Sequence, residues 1–208
     1  MRLMTIALTA SFAMTALGAA RAEEQGKSLA MGSKAPMAAT KLKSATDGKS
    51  VAITDVKGTK GTLVVFTCNH CPYAKAWEQR IVEMGHEYSK KGIGTILLNP
   101  NDPGVSKGDS FEAMQERAKE RGMQMPYVMD EGSALAKAFG AMVTPEAYLF
   151  DKGGKLVYHG TIDDNHKEAD KVEKRYLKDA LDAVAGGKTV PMAETKGIGC
   201  TIKFKKVS

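Results

Sequence analysis

The chain has 208 residues, 43% hydrophobic, 26% charged and 6% aromatic, which suits one globular domain with length left for arms and excludes a disordered or collagen-like chain. Three cysteines are too few to frame a disulfide mini-protein, and a chain this long does not need that device. The 30 Lys and Arg are spread among 24 acids without a basic block, so the net charge of +6 leaves no footprint for nucleic acid.

Residues 1–22 carry one early cation, Arg2, an apolar run from Leu3 to Leu17, and Ala20 and Ala22 in an A-x-A frame before Glu23. That is the pattern of a cleaved secretory signal. A membrane anchor needs about 20 consecutive apolar residues, and this run is shorter and interrupted by Thr and Ser. Cleavage would leave 28 basic residues against 24 acidic ones, a charge of +4. The expected mature protein is periplasmic or secreted, free of the membrane, in a compartment where disulfides persist. Residues 23–35 then form an arm, 36–187 the domain and 188–208 a C-terminal tail.

In chain order, the turn Thr46 to Lys49 joins Thr40–Ala45 to Val51–Ile53 as a hairpin. Leu63 to Phe66 is a continuous apolar run, as in a strand buried on both faces. From Pro72, apolar residues at Ala74, Trp77, Ile81, Met84 and Tyr88 recur at helical spacing until a stop near Gly92. Thr95 to Leu98 is a second buried strand running into a turn at Asn99 to Gly104. Asp109 with Glu112 has the form of a capping box for a second helix, which Gly122 ends. Tyr127 to Met129 makes a short strand, and Ala134 to Phe139 a short helix closed by Gly140. Ala147–Phe150 and Leu156–Tyr158 flank the turn Asp151 to Gly154 as a hairpin, and Val172, Tyr176, Ala180, Leu181 and Val184 line a last helix. This alternation predicts an α/β domain, a central mixed sheet with helices on both faces.

The chemistry concentrates in Thr67-Cys68-Asn69-His70-Cys71-Pro72, between the first buried strand and the long helix. Zinc would need a second ligand pair, and a two-residue spacer closes too small a loop for a useful structural disulfide. Redox exchange suits the placement better. Cys68, at the N-terminal end of the helix, is expected to have its thiolate stabilised and to attack; Cys71, one turn in and more buried, to resolve the mixed disulfide. His70 would tune that reactivity.

Gly32 to Pro36, the Cys-x-x-Cys-Pro after a buried strand, and Val143-Thr144-Pro145-Glu146-Ala147-Tyr148-Leu149-Phe150-Asp151 resemble the thioredoxin superfamily, within it the AhpC/TSA-type and TlpA-like, peroxiredoxin-like redoxin branch of secreted thiol-disulfide proteins. Asn99 to Asp102, Tyr127 to Gly132, Gly160 to Asn165 and Gly199 to Lys203 extend the resemblance over residues 32–204. It implies a thioredoxin-like three-layer fold. It also implies that Pro145 is a cis-proline which, with Thr144, faces the cysteines and lines the substrate groove. Departures are Thr67 where thioredoxins usually have Trp, and Val65 and Gly61 where peroxiredoxins usually have a hydroxyl and a proline. The loss of those two groups counts against peroxide reduction, the alternative catalytic reading. The resemblance implies no organic cofactor, only a protein dithiol or disulfide partner.

Cys200 is either a small buried residue where the tail packs back or a third redox thiol able to trap Cys68. A Cu(I)- or Zn-binding module is the reading from another class, since thiolates and Met thioethers suit Cu(I). Asp163, Asp164, Asn165 and His166 could hold a cation, although a cap and solvated loop is the commoner use of such a cluster. Asn99 to Asp102 could approach the site, as loops after parallel strands gather at one sheet edge. His86 and His159 read as surface residues.

Overall fold

The computed structural model describes residues 28–205. The expected signal at 1–22 lies outside the described residues. In chain order the elements are β1 (Leu42–Lys43), β2 (Ser50–Val51), β3 (Gly61–Phe66), α1 (Pro72–Ser89), β4 (Ile93–Asn99), α2 (Phe111–Glu120), β5 (Tyr127–Met129), α3 (Ala134–Phe139), β6 (Val143–Thr144), β7 (Glu146–Asp151), β8 (Leu156–Gly160), α4 (Tyr176–Ala185) and β9 (Cys200–Thr201).

The main sheet runs β5-β4-β3-β7-β8. β3 pairs parallel with β4 and antiparallel with β7, so every residue of this central strand is buried. Side chains alternate across a strand. Leu63 and Val65 therefore enter one core with Trp77, Ile81, Met114, Leu177 and Leu181, from α1, α2 and α4. Val64 and Phe66 enter the other with Leu135 and Phe139 of α3. Helices cover both faces, as expected. Each fully buried Val, Leu or Phe contributes about 1.5–3 kcal/mol, so β3 anchors both layers and fixes the height at which Cys68 emerges.

Two sequence expectations change. Ser110, not Asp109, caps α2, its hydroxyl accepting the Ala113 N–H at 3.2 Å. Asp109 is fully buried and points into a polar network instead; the pattern of a capping box specifies spacing but not which hydroxyl or carboxyl turns inward. The last helix begins at Tyr176, leaving Val172 in the segment before it.

The chain after α4 folds back over the domain. Thr195 N–H donates to the His159 carbonyl at 3.0 Å, and β9 pairs antiparallel with β6. Ile202 is 3% exposed in the α3-side core. Two glycines permit this approach: a Cβ on Gly160, at φ +144°, would stand 2.0 Å from Thr195 Oγ1, and one on Gly199 would stand 2.2 Å from the Thr144 carbonyl oxygen.

Candidate active site

β3 ends at Phe66 and delivers Cys68 to the turn ahead of α1. Cys71 is the N-cap of that helix, with Pro72 at its first position. The expectation that Cys71 lies one turn in, and deeper than Cys68, is thus corrected: both thiols are free and each is 3% exposed. Proline supplies the cause. Its fixed φ and missing N–H suit the first helical position, so the helix starts one residue after Cys71.

Thr144 meets both sulfurs. Its Oγ1 lies 3.1 Å from Cys68 Sγ, and its carbonyl accepts the Cys71 thiol at 3.1 Å. The Thr144–Pro145 peptide is cis, as the resemblance implies. Cys68 and Cys71 titrate as a pair. A thiol bridging to the neighbouring thiolate favours a single shared charge, so the first proton leaves below the ordinary thiol value of 9.0. The second is held above it, chiefly by that same bond, then by burial and by Asp109. The Cys200 thiol and the Ala74 and Cys200 amides draw charge toward Cys71, but a thiolate there would face the Thr144 carbonyl oxygen at 3.1 Å. Cys68 has the Thr144 hydroxyl and the Cys71 amide as donors. The carbonyl therefore favours the proton on Cys71.

The turn is held from below by Asp109. Its Oδ1 accepts the Asn69 N–H at 2.7 Å and the Asn99 amide at 3.1 Å; its Oδ2 accepts Asn101 at 2.9 Å and the Ser106 hydroxyl at 2.6 Å. Asn69 also donates to the Gly108 carbonyl and accepts the Tyr127 hydroxyl, both at 3.0 Å. Asn99 and Asn101 thus do approach the site, through this carboxyl. The polar run Asn99, Asn101, Ser106, Asp109 was the available sequence signal, concealed by its equally good reading as turn and cap.

His70 is exposed and, among the described residues, makes no hydrogen bond to either sulfur. A Cβ on Gly108 would lie 3.5 Å from its Nδ1, which places the ring over the loop before α2. His159 is a correction: it is 8% exposed, stacks on Tyr148 at 4.4 Å between centroids and bonds Glu146 Oε1 through Nε2 at 2.7 Å. Its register opposite Tyr148 in the β7–β8 hairpin turns it inward. Glu146, immediately after Pro145, accepts the Met142 N–H at 2.9 Å. His86 is partly buried and accepts the Gln124 N–H at 3.3 Å.

Cys200 comes to the same place from the tail. It stands opposite Thr144 in the β6–β9 pair and packs on the cluster of Cys68, Cys71 and Ala74. Its thiol bonds to Cys71. Burial, then that contact, pushes its thiol up to about 11. Asp163 does not gather with other acids: it accepts the Trp77 indole at 2.7 Å and pairs with Arg80, while Asn165 accepts the Lys167 and Glu168 amides at 3.1 and 3.0 Å. Among the described residues no three His, Cys, Asp or Glu converge as a metal site, and no helix is long and apolar enough to cross a membrane.

Residues 31–159 match the model of the AhpC/TSA family. A thiol-disulfide oxidoreductase ResA from Bacillus thuringiensis subsp. konkukian is 25% identical over 111 residues, 53% of this chain and 60% of that protein. The chain thus spans about 60% of the length of the first curated relatives it matches. An uncharacterized conserved protein from Geobacillus kaustophilus superposes with a TM-score of 0.80 at 34% identity, over 88% of this chain and 97% of that one. The thioredoxin domain of a thiol-disulfide oxidoreductase from Bacteroides vulgatus shares the fold, with a TM-score of 0.53 at 23% identity, over 64% of this chain and 90% of that one.

Proposed function

This chain belongs to the AhpC/TSA family, in the redoxin branch of the thioredoxin superfamily, and from that premise we propose that it is an exported thiol-disulfide oxidoreductase exchanging disulfides with protein partners through Cys68 and Cys71. The observation that carries this reading is the joint contact of both sulfurs with Thr144, next to the cis peptide at Pro145. Cys68 attacks, because a thiolate is the nucleophile and the Thr144 hydroxyl and Cys71 amide favour charge there. Cys71 keeps its proton on the Thr144 carbonyl until it resolves the mixed disulfide. His70, exposed in the same turn, adjusts the rate, and Thr144 with Pro145 receives the partner. Export rests on the Arg2 to Ala22 pattern alone, and the partner is a protein dithiol or disulfide.

The test is turnover of a disulfide-bonded reporter protein with a dithiol donor. Wild type should catalyse reduction, Cys68→Ser should abolish it, and Cys71→Ser should accumulate a mixed disulfide through Cys68. Trapping through Cys71 in a Cys68→Ser protein, with none in Cys71→Ser, would reverse the roles. Turnover in the absence of both thiols would end the reading.

A further inference from the structure

The tail is seated where the site meets its groove. Cys200 pairs with Thr144 across β6–β9, Gly199 lies against the Thr144 carbonyl with room for no Cβ, and Cys200 packs on the cysteine cluster. Beyond β9, the Lys203 amide donates to Asn101 Oδ1 and its carbonyl accepts the Asp102 N–H, both at 2.8 Å, with Ile202 buried between these ties and β9. The thiol is therefore held by backbone pairing on one side and by the Asn101–Asp102 loop on the other. A cysteine that served packing alone would need neither a partner sulfur nor such a fixed register against the peptide bonded to the active pair.

We propose that Cys200 is a third exchanging thiol, which takes over the disulfide by bonding to Cys71. The proposal rests on the Cys68–Cys71 exchange described above and extends it. When the pair is oxidised, the Cys200 thiolate attacks Cys71 Sγ. The Cys68–Cys71 bond breaks, a Cys71–Cys200 bond forms, and Cys68 departs as the thiolate, taking up the proton that Cys200 released. The protein as a whole neither gains nor loses electrons. The product ties the tail covalently over Thr144 and Pro145, so the oxidised protein holds its disulfide with the groove occupied and Cys68 free. Because burial disfavours the Cys200 thiolate, and attack follows the thiolate fraction, the rearrangement accelerates as pH rises.

Oxidised glutathione, a small disulfide, supplies the test. Reduced Cys68→Ser protein is treated with it, quenched in acid, alkylated and mapped by peptide mass spectrometry. A Cys71–Cys200 linked peptide is expected in preference to a stable glutathione adduct, since a seated thiol has a high effective concentration. Gly199→Ala, which cannot seat the tail, should lose most of that peptide while Cys68 and Cys71 still bond to each other in the presence of Cys68. Cys200→Ser should form the Cys68–Cys71 bond normally. Glutathione adducts on Cys71 with Cys200 left free in Cys68→Ser, alongside a normal Cys68–Cys71 bond in Cys200→Ser, overturn the relay and leave the pair standing. A Cys200→Ser protein that forms no Cys68–Cys71 bond overturns both.

Discussion

On one side of Cys68 the wall of the site is a buried polar network: one carboxyl, Asp109, receives four donors from Asn69, Asn99, Asn101 and Ser106. On the other side it is a two-residue strand, Cys200–Thr201, held by a short ladder, by Ile202 in the core and by the Lys203 bonds to Asn101 and Asp102. The first wall is costly to open, because each buried donor left without a partner costs about 1–3 kcal/mol. The second can part by breaking a few backbone bonds and exposing one side chain. Rigidity beneath the attacking thiol and a separable strand beside its partner is a division suited to a site that must hold one sulfur still while segments come and go next to it.

The largest expected effect comes from breaking the rigid wall. Asp109→Ala should destabilise the reduced protein by roughly 3 kcal/mol or more, since several buried donors lose their acceptor at once, read from urea unfolding. Ile202→Ala should cost about 2 kcal/mol, at the lower end of large-to-small core changes because the tail can relax. It should also raise hydrogen exchange across β9 without disturbing β3, which would show that the two walls open separately. If Ile202→Ala loosened the Asn69 turn as much as the tail, the two walls would be one unit.

Thr144→Val acts between the walls. Removing the hydroxyl 3.1 Å from Cys68 Sγ should raise the midpoint of Cys68 alkylation by about one pH unit, about 1.4 kcal/mol. Rapid-quench alkylation with peptide mapping reads this. The remaining effect is in stability. The first proton of the Cys68–Cys71 pair leaves below 9.0 in the fold, so between that lowered value and 9.0 the unfolded chain binds more protons and the reduced protein gains stability as pH rises. Above 9.0 the sign reverses, since the fold retains the second proton. Urea midpoints at about pH 6 and about pH 8 should therefore diverge more for wild type than for a protein with both cysteines replaced by Ser.

The same contrast decides how much the sequence tells. β3, α1, β4 and the β7–β8 hairpin are legible because Leu63 to Phe66, the spacing from Ala74 to Tyr88 and the turn at Asp151 to Gly154 are local patterns. The Cys68–Cys71 placement follows from them. Asp109 was hidden because a carboxyl near a helix start has two uses, and only the distant Asn69 amide reveals which one operates. His159 was hidden because its burial depends on Tyr148 and Glu146 across the sheet. The seat of Cys200 beside Cys71 joins residues 129 apart in sequence. Nothing in the polar, basic tail specifies that pairing except Gly199, whose close approach to Thr144 cannot be read without the partner backbone.

The most direct measurement is a redox titration of the wild-type protein in glutathione buffers, with acid quench, alkylation and peptide mapping at each potential. One two-electron transition is expected, in which the thiols of Cys68 and Cys71 disappear together into a linked peptide. Stepwise glutathione adducts on separate cysteines, with no Cys68–Cys71 peptide at any potential, would contradict it.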